Sequence, residues 1–466
     1  MSSRTIIELR KQPGCAHRKG AAAGCGRTTP GATQGGCCFD GARNALLPIS
    51  DAAHIVHGPI GCSGTSWDTR GSRSSSSILY RVGMTTDLSD LDLTLGRGDD
   101  LLIDAVGQAV SRFHPGAVFV YLTCIPSMAG VDIESVARRA QLRWQVPVIP
   151  VDCGGFYGNK NFGQRIAGDA LFRHVIGTRE PDPVDARMGA AVGRVHDVNL
   201  IGEWNVGGEF WNVAPLFDEL GLRLLCVLSG DSRFRDVQTM HRAEANMLVC
   251  SKALQGLARD LEGVYGTPFF EGSFYGAPAT SQALRAFASL LNDSDLAART
   301  ERIIEREEAS VQIALASVRP RLQGKRALIF SGGFKSWSTV SALQYLGVEV
   351  VATGIEKSTD EDVVRIRELL GPNARLIDNN DQETILRAVA ESRADVLVAG
   401  DRYIYPSLKA TIPFLDLDHV REIGYAGYKG QIEFGRRLVA AIEHPAWNLV
   451  RRDPPWERRA NRRAVA

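Results

Sequence analysis

The chain is short of the features that sort proteins into special classes. No apolar run approaches the roughly 18 residues needed to span a bilayer, so the sequence gives no membrane segment. With 54 Lys+Arg against 53 Asp+Glu the net charge is +1, which offers no electrostatic attraction to nucleic acid or an anionic surface. The opening residues MSSRTIIELRKQPGC contain no apolar signal core, which predicts a cytoplasmic protein. A phosphate-binding loop of the GxxxxGK[ST] kind is absent. The nine cysteines are odd in number and have no disulfide-framework spacing, so in a reducing compartment they are expected as free thiols.

A chain of 466 residues is too long for one hydrophobic core. Residues 1–39 read as an arm rich in Gly, Ala, Lys, Arg and Thr, carrying Cys15, His17 and Cys25. Beyond it one unit recurs: an apolar run, a loop with Gly or Cys, an amphipathic helix, and another apolar run. AVFVYLTC (117–124) leads to VPVIPVDC (146–153), VNLIGEWN (198–205) to LRLLCVLSG (222–230), and KRALIFSGG (325–333) to VEVVATG (348–354). Near-continuous apolar strands indicate parallel sheets covered on both faces. The expected fold class is α/β, with three Rossmann-like domains over 40–190, 195–318 and 325–455 and a basic tail over 456–466. The segment 178–193 reads as a linker or loop, and 292–322 as a long helical connector.

Ligands of such sheets sit beyond the carboxyl ends of the strands. Cys37, Cys62 and Cys124 all fall at strand–loop junctions, beside glycines at 35, 36, 61 and 64. Three thiols do not complete a four-cysteine iron–sulfur site. Either they are buried without a role, or a partner chain supplies the rest of a cluster. Cys250 precedes an amphipathic helix and reads equally as a core residue. Cys38, Cys153 and Cys226 read as core or loop residues. Arg70, Arg73, Arg233, Arg235 and Lys335 could form a positive rim or simply be solvated. His54 and His57 could pair on a metal, although packing in the core is the simpler reading.

The stretches HGPIGCSGTSWDTRGSRSS, FYGNKNFGQRIAGDAL, VHDVNLIGEWNVGGEFW, QTMHRAEANMLVCSKAL, PFFEGSFYG, GGFKSWSTVSALQYLG and GYAGYKG resemble, in this order, the α-type subunits of the nitrogenase superfamily. They are most similar to its cofactor-assembly scaffold subunits. The resemblance runs from about Cys15 to Trp456. It implies a nitrogenase α-subunit-like fold and a NifN-type β subunit as partner in an α2β2 heterotetramer. Cys37, Cys62 and Cys124 match the ligands of a [4Fe-4S] cluster at the subunit interface. Cys250 matches the cysteine that holds one end of an iron–sulfur–carbide precursor of the iron–molybdenum cofactor. The resemblance further implies that molybdenum and homocitrate are inserted there. The nitrogenase iron protein serves as their donor, a precursor donor supplies the cluster, and apo-dinitrogenase is the recipient. The chain is then a carrier rather than a turnover enzyme.

Dinitrogen-reducing relatives carry a histidine where this chain has Gln164, which cannot relay protons at neutral pH as imidazole does. They fix the molybdenum end with a histidine at the position of Asp418; here His419 is one residue on. They have arginine where Lys335 stands. Asp418 also departs from the asparagine usual in scaffold subunits, as do the loops TCIPSMAGVD and AGDRYIY. Those departures keep a second reading open: a catalytic α-like subunit of a nitrogenase-like reductase acting on a substrate other than dinitrogen.

Overall fold

A computed structural model describes residues 36–66, 73–75, 79, 82–331, 334–356, 358–379, 381–418 and 422–452. Three parallel sheets follow one another along the chain. The first contains β1 (Ala52–His57), β2 (Met84–Thr85), β3 (Ala117–Leu122) and β4 (Val148–Asp152), in the order β2-β1-β3-β4. The second contains β5 (His196–Glu203), β6 (Leu222–Ser229), β7 (Ala245–Leu248) and β8 (Phe269–Glu271), in the order β6-β5-β7-β8. The third contains β9 (Arg326–Phe330), β10 (Glu349–Gly354), β11 (Leu376–Ile377), β12 (Val396–Ala399) and β13 (Phe414–Asp416), in the order β11-β10-β9-β12-β13.

The central strands explain the architecture. Every residue of β1 and β3 is buried, and the two run in parallel register from Ala52 opposite Ala117 to His57 opposite Leu122. A strand apolar on both faces needs a helical layer on each side, and the crossover helices supply it. The expected α/β class with parallel, Rossmann-like sheets is therefore what the chain adopts. The connector at 292–322 is helical, as Ser294–Leu315 and Arg319–Leu322. The segment at 178–193 is not all loop. It contains the helix Ala186–Val192, started by Asp185, whose side chain accepts the Arg187 N–H at 2.8 Å.

The sheets share hydrophobic cores. The largest cluster joins Val198 and Leu200 of the second sheet to Ala327 and Ile329 of the third. Another joins Phe119 and Tyr121 of the first to Ile201 and Leu228 of the second. The helix Lys160–His174 lies between Cys38–Leu46 and Ser251–Tyr265. A side chain at Gly163 would strike the Cys38 carbonyl, so glycine permits that crossing. Lys160 Nζ and Asp40 Oδ2 close it with a 2.9 Å ion pair.

Candidate functional site

Three cysteines meet at the carboxyl edge of the first sheet. Cys37 stands at the start of the helix Cys38–Leu46 and forms an isolated antiparallel bridge with Asn159. Cys62 lies on the helix Ile60–Ser66 just after β1. Cys124 opens the helix Cys124–Met128 after β3. The loop after β4 brings two of them together through Gly155. Its N–H donates to Cys124 Sγ at 3.1 Å. A Cβ at this position would lie 3.0 Å from Cys124 Sγ, 3.3 Å from Cys37 Cβ and 3.5 Å from Cys37 Sγ. Cys62 belongs to the same group. Burial pushes its thiol up, a hydrogen bond with Thr123 opposes the rise, and Cys124 and Cys37 add to it.

Neighbouring thiols are chemically different. Cys38 and Cys153 are buried. Burial, with smaller contributions from Cys37, Asp152 and Cys124, holds the Cys38 thiol up to about 12. Burial raises Cys153 well above its ordinary value. Both remain protonated, whereas Cys37 is exposed and Cys62 and Cys124 are half-buried. Among the described residues no group of three or more His, Cys, Asp or Glu side chains closes on a single metal ion. A four-iron cluster asks for a different arrangement, one thiolate per iron. Three accessible soft donors around a glycine that leaves them room fit that demand. Apolar side chains stand exposed beside them: Ile60 (61%), Ile125 (42%), Met128 (74%) and Phe156 (53%).

Cys250 occupies a second place. It follows β7 and stands just before the helix Ser251–Tyr265, which is kinked at Leu254. Gly202 has φ +86°, and a Cβ on it would come within 2.8 Å of both Cys250 Cβ and Cys250 N. Half-buried, Cys250 packs against both of the clusters that join neighbouring sheets. Gln164 is buried on Lys160–His174, the helix whose Gly168 meets Leu254 and Leu257 of the Cys250 helix.

Asp418 follows β13; its N–H bonds Asp416 Oδ1 at 3.1 Å, and Gly400 leaves its carboxylate room. Lys335 enters the first turn of the helix Phe334–Tyr345, after β9. Cys250, Lys335 and Asp418 thus stand beyond the carboxyl ends of three strands in two adjoining sheets. Arg70, His419, Cys15 and Cys25 lie outside the described residues. Arg73 is tied by its backbone to Asn205, donating to Asn205 O at 3.0 Å and accepting from Asn205 Nδ2 at 2.9 Å.

The other cationic and histidine candidates do not form sites. His54 Nδ1 pairs with the Tyr121 hydroxyl at 2.8 Å, and the ring stacks on Phe119. His57 Nδ1 pairs with Thr86 Oγ1 at 3.1 Å. Burial lowers His54 to about 3 and His57 to about 4, so both are neutral core residues. On a strand, residues three apart point to opposite faces, which removes the metal-pair reading. Arg235 pairs with Asp236 at 3.6 Å. Reasoning from the sequence missed Gly155 and Gly202, although the run CGGFYG after β4 was a visible sign of close backbone approach.

The family model for "Nitrogenase component 1 type Oxidoreductase" matches residues 37–443. The chain belongs to the nitrogenase component 1 family. Among its curated relatives in that family is the "Nitrogenase iron-molybdenum cofactor biosynthesis protein NifE" of Klebsiella pneumoniae. That protein is 52% identical over 456 residues, covering 98% of this chain and 100% of the relative. A protein of the same name from Rippkaea orientalis is 47% identical, covering 97% and 95%. The solved structure "Nitrogenase Cp1 at pH 5" superposes with a TM-score of 0.81 at 28% identity, covering 92% of each chain. The component 1 fold accounts for the three consecutive parallel sheets.

Proposed function

We propose that this chain is a scaffold subunit on which the nitrogenase iron–molybdenum cofactor is matured. The observation that carries the reading is full-length similarity, at 52% identity, to a protein named for biosynthesis of that cofactor. Two sites divide the work. Cys37, Cys62 and Cys124 would hold a resident [4Fe-4S] cluster, which would supply electron transfer when bound. Soft thiolates bind iron well, and the Gly155 N–H adds a donor directed at one sulfur. The exposed apolar residues around the thiols favour a partner docked over them. The partner proposed is a NifN-type β subunit, forming an α2β2 heterotetramer.

The large iron–sulfur–carbide cluster is cargo. Cys250 would grip it by one thiolate at a helix N-terminus. Lys335 and Arg70 would offset the negative charge of the sulfide-bridged cluster and of homocitrate, with Arg73 a further candidate. Gln164 supplies an amide where a catalytic relative has imidazole, so it positions rather than relays protons. Asp418 or His419 would touch the molybdenum end. Without the histidine of catalytic relatives at position 418, the cargo would lose a strong second ligand and be held reversibly. Molybdenum and homocitrate would arrive on the nitrogenase iron protein and the finished cofactor pass to apo-dinitrogenase. Among the described residues no helix is long and apolar enough to cross a membrane, which agrees with a cytoplasmic site of action.

The test is anaerobic purification with the partner, followed by iron and molybdenum analysis and EPR before and after mixing with apo-dinitrogenase. Departure of the large cluster with gain of dinitrogen reduction in the recipient supports the carrier. Retention of the cluster, with turnover of a small substrate by the complex itself, overturns it and makes Gln164, Asp418 and His419 active-site residues.

A further inference from the structure

A cavity of about 410 Å3 opens between the helices Ala277–Leu291, Phe334–Tyr345 and Asp360–Leu370, beside the end of β8. Its size falls within the roughly 300–1,000 Å3 of small-molecule sites. Part of the wall is apolar, from Phe270, Ala279, Ala283 and Leu369. The polar part is unusual. Trp337 is only 6% exposed, and its indole N–H has no acceptor among the described residues. A buried donor left this way costs on the order of 1–3 kcal/mol, and a ligand acceptor would relieve it. Arg365 lies over the same indole, its Cζ 5.1 Å from the ring centroid. The guanidinium is 3.8 Å from Glu271 Oε2, too far for a hydrogen bond. Burial raises the Glu271 pKa; Arg365 acts against this, while Asp362 and Glu361 add to it. The helix Ala277–Leu291 begins in this wall at Pro278 and Ala279; its Ala277 N–H is taken by Gln431 Oε1 at 3.2 Å, and Pro278 has none, which leaves the Ala279 N–H at the wall.

The charges select the ligand. An anion alone would meet Trp337 N–H, Arg365 and the first turn at Ala279, but also Glu271 and Glu368. A cation alone would meet Glu271 and Glu368, but also Arg365. A zwitterion answers both. We propose that this cavity binds a free α-amino acid with an apolar side chain. Its carboxylate would lie against Trp337 N–H, Arg365 and the first turn at Ala279, and its ammonium against Glu271. The site stands apart from the cofactor reading and does not depend on it.

Titration calorimetry on the full chain as isolated, with its retained subunits, tests the proposal. The probes are L-leucine and L-methionine, with isocaproate and isopentylamine as the same skeleton lacking one charge. An amino acid is expected to bind with a Kd of about 1 mM or tighter, and both truncated probes roughly tenfold more weakly. Trp337→Phe keeps a ring under Arg365 and removes the N–H, so it should weaken binding roughly tenfold in a variant that still unfolds cooperatively. Glu271→Gln should weaken the amino acid and spare isocaproate, and it carries the test should Trp337→Phe fail to fold. Absence of binding by both amino acids, equal binding of isocaproate, or indifference to both substitutions overturns the proposal.

Discussion

The Gly155 N–H donates to Cys124 Sγ at 3.1 Å, and a Cβ on that residue would lie only 3.0 Å from the same sulfur. The loop after β4 is thereby moulded to the thiols rather than merely adjacent to them. Gly155→Ala should push its methyl group against Cys124 Sγ and Cys37 while leaving the buried sheet untouched. The expected outcome is loss of most of the interface-cluster iron at a nearly unchanged circular dichroism spectrum. Full iron retention would mean that the loop yields and the thiols are not held by it. Alanine at Cys37, Cys62 or Cys124 should likewise lose that cluster and weaken the tetramer on gel filtration.

Cys250→Ala should separate the two sites. Large-cluster iron should fall to background while the interface-cluster signal persists, since the two groups of thiols lie beyond different sheets. A variant still carrying its full large-cluster iron would remove Cys250 from the site. Lys335→Ala should lower large-cluster retention in part and spare the interface cluster; equal loss of both would show a general folding effect instead.

Gly202→Ala is a stability prediction. Glycine holds φ +86° there, and an added Cβ would come within 2.8 Å of Cys250. Backbone strain of this kind costs about 1–3 kcal/mol, and the displaced Cys250 should also hold cargo less well. A lower melting temperature in the cluster-free protein checks the first part. An unchanged one would show that the turn relaxes.

His196 ties the second sheet to the connector helix. Its Nε2 lies 3.0 Å from Asp293 Oδ2 and its Nδ1 3.0 Å from Glu244 Oε2. The hydrogen bond to His196, then those from the Leu296 and Asp295 N–H groups, lower Asp293 to about 2 against the opposing effect of burial. A depressed carboxylate stabilises the fold fully above its unfolded pKa, near 4. That contribution disappears as pH falls through the folded value, because the unfolded chain takes the proton first. Asp293→Asn should keep the helix cap yet lower the melting temperature near neutrality, and the gap from wild type should close between about pH 4 and pH 2. Asp293→Ala should lose the cap as well, about 1 kcal/mol more. A gap that stays constant down to pH 2 would show that the carboxylate charge is not what matters.

The three sheets were legible because parallel strands buried on both faces leave near-continuous apolar runs, as in AVFVYL and LRLLCVLS. Cys124 was legible because it ends such a run, AVFVYLTC, and Cys37 and Cys62 because glycines stand beside them. Gly155 was harder to read. Its role depends on β4 lying beside β3, a pairing that no local pattern encodes. The helix at Ala186–Val192 was overlooked because Pro181 and Pro183 dominate the composition just before it, while its start is set by the single side chain of Asp185. The cavity at Trp337 could not be read from the sequence at all, because its walls come from residues up to about a hundred positions apart, brought together by the packing of the second and third sheets.

Cys250 has one further consequence. Its side chain is shared between two cores, one joining the first and second sheets and one joining the second and third. Sliding any one layer past the next therefore moves the sulfur. Under the proposed function, cargo held at Cys250 would bear on the alignment of all three layers, and the loaded chain should be the stiffer one.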